Sequence, residues 1–172
     1  MLKLCLCVLL LVLCGGAGLI KAGEFSNRLR HLQDLIAALK ALQSEMTFRK
    51  DPLPRLLLRG KEWGKDLAGE FFYSIGHSLE LLGHSRLEDA WREHVELIYG
   101  DSSLKPDDMD ILKELSVELG QTDLASQEAM FQRTFFLLEK QEKSADAEKR
   151  VKGRMYRALG LAVGALLVIA LV

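Results

Sequence analysis

Beyond residue 14 the 172-residue chain has no cysteine; Cys5, Cys7 and Cys14 are the only three. Neither a disulfide framework nor a thiolate zinc site can therefore be built in most of it. A cysteine-free body fits a reducing compartment. Proline is also scarce: there are three residues, two of them Pro52 and Pro54. No stretch alternates Val, Ile and Thr at period two, so no strands are expected. Glycine-rich phosphate loops and a nucleophile elbow are absent. The four histidines, His31, His77, His84 and His94, lack metal-ligand spacing. His77 and His84 stand seven apart, but His84 follows Gly83, where a helix is expected to stop. No catalytic residue, metal ligand or cofactor is expected, and the chain reads as a non-enzyme.

Acidic residues are missing from both ends, since every Asp and Glu lies within 24–148. Of the 23 basic residues, all but Lys3 and Lys21 fall in 24–157, leaving 21 against 24 acidic ones, a net of −3. That charge does not suit a nucleic-acid partner. The acid-free ends are instead apolar, over residues 4–20 and 158–172. The first run is expected to be a retained membrane helix. A signal-peptide cleavage after Ala22 would put Ile20 where a small residue is needed, and Leu13 spoils a lipoprotein site at Cys14. The second run is short for a span, but it can cross if Tyr156 and Arg157 sit in the interface. Lys149, Arg150, Lys152, Arg154 and Arg157 precede it with no counterpart beyond. The positive-inside rule then puts the body in the cytoplasm, and the basic cluster should attract anionic lipid. The expected organisation is a membrane helix over 1–21, a helical body over 22–140, a basic helical stalk over 141–157 and a second membrane helix over 158–172.

Within the body the pattern predicts six helices in a compact bundle, an all-α fold. Phe25, Leu29, Leu32, Ile36, Leu39, Leu42 and Met46 recur at three and four residues, giving an amphipathic helix over 24–48 with Arg, Gln and Lys opposite. Pro52 ends it, and Pro54 opens a short helix over 55–62. A third covers 65–82 and closes at Gly83. Ser85 and Glu88 suggest a capping box for the fourth, whose stripe is Leu87, Trp91, Val95 and Ile98. Pro106, Asp107 and Asp108 begin the fifth, with carboxylates at the positive end of its dipole. Gly120 stops it, and a turn at Thr122 and Asp123 starts the last helix, with Leu124, Phe131, Phe135 and Leu138. The polar run that follows reads as a solvated stalk.

Five residues stand out as structural or partner-contact candidates: Pro52, Pro54, Trp91, Gly120 and Gln127. Gln127 falls on an apolar line, and a buried amide without a partner costs about 1–3 kcal/mol. Two readings follow: it secures the turn at 120–123, or it meets a partner. Gly160 and Gly164 form a small-xxx-small pair, with Gly15, Gly16 and Gly18 in the first run. These glycines would let the apolar helices pack on each other or on partner helices, a second copy of the chain included.

These residues resemble the stage III sporulation protein AB family of endospore-forming bacteria. The likeness runs over nearly the whole chain. It shows in Met1-Leu2-Lys3-Leu4, in Leu32 to Met46 followed by Pro52-Leu53-Pro54, in Phe71-Phe72 and in Glu88-Asp89-Ala90-Trp91. It continues in Leu119-Gly120-Gln121-Thr122-Asp123 with Gln127, and in Met155-Tyr156-Arg157-Ala158-Leu159-Gly160 before the apolar tail. Phe48-Arg49-Lys50-Asp51 departs from the aromatic-Gly turn usual there. The resemblance implies a platform component, on the mother-cell side, of a channel-like complex between mother cell and forespore. Its soluble part would be similar to the cytoplasmic helical domain of the type II secretion inner-membrane platform protein. The implied partners are a secretion-type sporulation ATPase and further membrane proteins of the complex. A membrane-anchored adaptor that binds a signalling protein is the competing reading.

Overall fold

The computed structural model describes residues 2–49, 51–82, 86–119 and 124–171; side chains at 2–8, 10, 11, 81, 82, 124, 125, 170 and 171 are outside this description. Every regular element among the described residues is an α-helix: α1 (Leu2–Phe48), α2 (Leu53–Leu57), α3 (Gly60–Trp63), α4 (Leu67–Leu82), α5 (Leu87–Tyr99), α6 (Pro106–Glu118) and α7 (Leu124–Leu171). The all-α expectation holds, but the described helices number seven rather than six. The helix expected over 55–62 is two pieces, parted at Arg59 (φ −86°, ψ 5°), where the Arg59 amide donates to the Leu56 carbonyl. The helix expected to begin at 24 begins at Leu2, because nothing between the apolar run and the body breaks it; likewise α7 continues through 139–157 to Leu171.

Among the described residues no helix is long and apolar enough to cross a membrane. The spans expected at 1–21 and 158–172 thus gain no support from these residues. Both runs are described only in part, since side chains at each end of the chain lie outside the description.

The chain divides into two compact units, residues 1–29 with 143–172, and residues 30–142. In the second, Leu32, Leu35, Ala38, Leu39 and Leu42 of α1 are fully buried. Burial at 32, 35, 38, 39 and 42 falls on one broad stripe, with Arg30, Gln33, Ala37, Lys40 and Ser44 exposed opposite, so this part of α1 is one-sided as its apolar spacing predicts. The same core holds Leu57 of α2, Phe71, Phe72 and Ile75 of α4, Trp91 and Val95 of α5, Leu112 of α6 and Leu138 of α7, all fully buried. The two short helices lie close against α4 because glycines permit it. A Cβ on Gly76 would stand 2.7 Å from the Leu58 nitrogen, and one on Gly60 2.5 Å from the Phe72 Cβ.

Residues 1–29 and 143–172 pair α1 with α7. Arg28 bonds Glu148 at 3.1 Å, Phe25 stacks on Tyr156 at 5.9 Å, and a Cβ on Gly18 would meet the Gly160 Cα at 3.1 Å. As the α1 number falls the α7 number rises, so the two run antiparallel. Ala145 is buried, as are Gly18, Ala22, Gly153 and Gly164. The segment expected to be a solvated stalk therefore has a packed, small-residue side.

Candidate functional site

The Asp34 carboxylate on α1, in the second unit, ties together two segments far apart in sequence. Its Oδ1 accepts from the Lys65 amide at 2.8 Å; its Oδ2 accepts from Asp66 at 3.1 Å and Ala68 at 3.3 Å. A helix N-terminus leaves its first amides without intrahelical partners, and α4 begins at Leu67. Asp34 meets that need from 31 residues away in sequence, and its charge opposes the positive end of the α4 dipole. Arg30 and His31 reach the same segment. The Arg30 Nε lies 3.0 Å from Asp66 Oδ2, and His31 Nε2 lies 3.6 Å from it. His31 is only 8 % exposed, and its Nδ1 is buried without a hydrogen-bond partner among the described residues. Burial holds the imidazole below its usual pKa, with Arg30 acting the same way and Asp66 and Asp34 opposing. Arg30, Gln33, Asp34, Ala37, Trp63 and Asp66 line an open groove of about 600 Å³ here. Its carboxylates and its arginine already satisfy one another or the backbone. The arrangement is a structural clamp between α1 and the start of α4, not a nucleophile poised for chemistry.

Trp91 is fully buried, with its ring edge-on to Phe71 at 5.1 Å and to Phe72 at 5.7 Å. Tyr99 closes the cluster against Phe71 at 5.4 Å. Among the described residues neither the Trp91 Nε1 nor the Tyr99 hydroxyl has a hydrogen-bond partner, and burial pushes the Tyr99 phenol far above its ordinary pKa. Trp91 therefore presents no surface in this state. Pro52 is the N-cap of α2 (ψ 137°), and Pro54 sits in its first turn; the Pro52 carbonyl accepts from Arg55 and Leu56. Both prolines act at a helix start, where a missing amide is harmless.

Gln127 is half-buried and lines a groove of about 240 Å³ with Gln43, Met46, Thr47, Glu128 and Phe131. Gly120, and the turn at 120–123 that Gln127 was expected to secure, lie outside the described residues, as do Gly83, His84 and Ser85. Arg86 takes the N-cap of α5 with no side-chain cap. At α6 the Lys105 amide donates to Asp108 Oδ2 at 2.9 Å, and Asp108 is fully buried. His94 bridges two helices, with Nδ1 2.7 Å from the Ala90 carbonyl and Nε2 3.3 Å from Ser78 Oγ. Among the described residues no group of His, Cys, Asp and Glu is arranged to hold a metal ion.

In residues 1–29 with 143–172, Gly160 is at the crossing itself. A Cβ there would stand 2.9 Å from the Cys14 carbonyl, and one on Gly18 2.7 Å from the Tyr156 carbonyl. The close small-residue contact joins Gly160 of α7 to Gly18 of α1. The sequence signal for Gly18 was its place among three glycines in the first apolar run. Asp34 left no such signal, because its capping partners lie a helix away.

Comparison with known proteins agrees with this helical arrangement. Stage III sporulation protein AB of Bacillus subtilis (strain 168) is 27% identical over 174 residues, covering 99% of both chains. A solved structure of stage III sporulation protein AB (SpoIIIAB) matches with a TM-score of 0.66 at 24% identity, over 73% of this chain and 98% of that one. At that identity the likeness concerns the fold. The family model described as stage III sporulation protein AB matches residues 3–172, almost the entire chain, and the chain therefore belongs to this family of sporulation proteins.

Proposed function

We propose that the chain is a non-enzymatic platform of the sporulation channel complex. Both apolar ends lie in the cell membrane on the mother-cell side, and the body faces the cytoplasm. The body receives a secretion-type ATPase and transmits its action to membrane components of the complex. The observation that carries this reading is the antiparallel pairing of the two ends through Gly18, Gly160, Phe25, Tyr156, Arg28 and Glu148. Outside that seam the same helices expose large apolar side chains, among them Leu13, Leu19, Ile20, Leu161, Leu166 and Ile169. A helix pair with small residues inside and large apolar ones outside suits lipid better than water, because close backbone packing rather than apolar burial holds it together. Exposed apolar surface on this scale marks a membrane or protein contact.

The test uses the tagged full-length chain in its sporulating host. The chain should resist carbonate extraction from membranes, and the ATPase should copurify after solubilisation in mild detergent. Release by carbonate would overturn the membrane attachment. Capture of a signalling kinase or sigma-type regulator, with no ATPase, would overturn the platform reading in favour of an adaptor.

A further inference from the structure

The positive charges at the edge of the apolar zone are not equivalent. Lys21 is tied to Glu24 at 2.6 Å, Arg150 to Asp146 at 2.7 Å, and Lys152 to Glu148 at 3.0 Å while also lying 5.8 Å from the Phe25 ring centre. Arg154 and Arg157 are exposed and have no ion pair among the described residues. They stand three apart on one side of α7, hence as neighbours. No acidic residue follows Glu148 to oppose them. Immediately past them the exposed surface turns apolar at Leu159, Leu161 and Val163. In the same turn, on the side that meets α1, Tyr156 stacks on Phe25. An aromatic pair beside cations, at the start of an apolar surface, matches the headgroup level of a bilayer.

We propose that Arg154 and Arg157, beside the Phe25–Tyr156 ring pair, form a binding level for the phosphate-bearing head groups of anionic lipids. Guanidinium is planar and meets phosphate oxygens through paired N–H donors; a zwitterionic head carries the same phosphate but adds a choline cation that two arginines repel, so the net charge favours an anionic lipid. The adjoining apolar side chains and rings favour a lipid over free phosphate, because the acyl chains of the same molecule are covered at once. This inference rests on the membrane attachment proposed above.

The experiment reconstitutes the full chain into phosphatidylcholine bilayers carrying a trace of spin-labelled phosphatidylglycerol or spin-labelled phosphatidylcholine. Electron spin resonance then reads the lipid held at the protein boundary. The expected result is a boundary population that prefers phosphatidylglycerol by at least about fivefold, the effect of one Lys or Arg near an anionic surface. That preference should shrink in high salt. Arg154→Gln with Arg157→Gln should bring it close to parity, Arg154→Lys with Arg157→Lys should keep only the part due to charge, and Lys140→Gln should leave it unchanged. A boundary population with equal affinity for the two lipids overturns the inference and leaves membrane attachment standing. Absence of any boundary population overturns both.

Discussion

Replacing Asp34 with alanine removes one carboxylate and strands three amides at once, those of Lys65, Asp66 and Ala68. A lost N-cap costs about 1 kcal/mol. Hydrogen bonds to a charged acceptor contribute about 1.5–3 kcal/mol, more than neutral ones. The α4 amides can recover water where the loop is exposed, so the sum is less than three full bonds. The expected cost of Asp34→Ala is about 2–3 kcal/mol. For a unit of this size, a melting temperature lower by roughly 10 °C follows. Asp34→Asn keeps one acceptor oxygen but turns the other into a donor facing a backbone amide, and it also loses the charge–dipole part, about 0.3–1 kcal/mol. The decisive measurement is hydrogen exchange followed by mass spectrometry on the full chain in detergent. Amides at 65–68 should exchange much faster in Asp34→Ala, with α5 and α6 changing far less. If 65–68 keep their protection, or if every helix loosens equally, the tertiary cap is not what holds the start of α4.

His31 predicts a pH dependence. Its folded pKa lies below the ordinary value of about 6.5, chiefly through burial. The unfolded chain then binds the proton more readily, so His31's stabilising contribution is complete above about pH 6.5 and is lost as pH falls from there toward the folded pKa. Urea titrations at pH 7.5 and 5.5 should show that loss, and His31→Gln should flatten it; an unchanged slope in the variant would refute the assignment. Tyr99→Phe removes a buried hydroxyl that has no partner among the described residues, so stability should hold or rise by about 1 kcal/mol in a thermal melt; a clear loss would mean the hydroxyl is bonded after all. Gly160→Leu puts a side chain against the Cys14 backbone. In a Cys5→Ser, Cys7→Ser background it should speed maleimide labelling of Cys14 several-fold, whereas Gly153→Ala, whose Cβ meets nothing within 4 Å, should change labelling little.

Several features were readable from local sequence because their physics is local. The apolar spacing from Leu29 to Leu42 forces a helix that must bury one side. Pro52 and Pro54 mark a helix start because a proline amide is unneeded there. Asp108 at the third position of α6 reaches back to Lys105 within one turn. Helix continuity was harder to see. The change of composition near residue 24 and again near 139 suggested boundaries, yet composition governs which neighbours a helix accepts, not whether its backbone hydrogen bonds continue. With no proline between Leu2 and Phe48, or between Leu124 and Leu171, both helices pass through.

The polar clamp and the glycine crossing show what pattern alone cannot supply. Arg28 falls in line with the apolar stripe, three residues from Phe25 and four from Leu32, and His31 lies at its edge; they are 3 % and 8 % exposed. A long cationic side chain can be buried when a carboxylate waits for it, and Glu148 waits 120 residues away. The same reasoning covers Trp91. A large aromatic on an amphipathic face has one sequence signature whether it fills a core or meets a partner, and only the rings of Phe71 and Phe72 around it decide between them. Gly18 and Gly160 carry the argument one step further. Each is an ordinary glycine in an apolar run until the other fixes its register. Once the Gly18 Cβ position is known to collide with the Tyr156 carbonyl, a side chain at either site becomes a steric problem for the antiparallel pair, and that pair is what brings Phe25 and Tyr156 into contact beside the unpaired arginines.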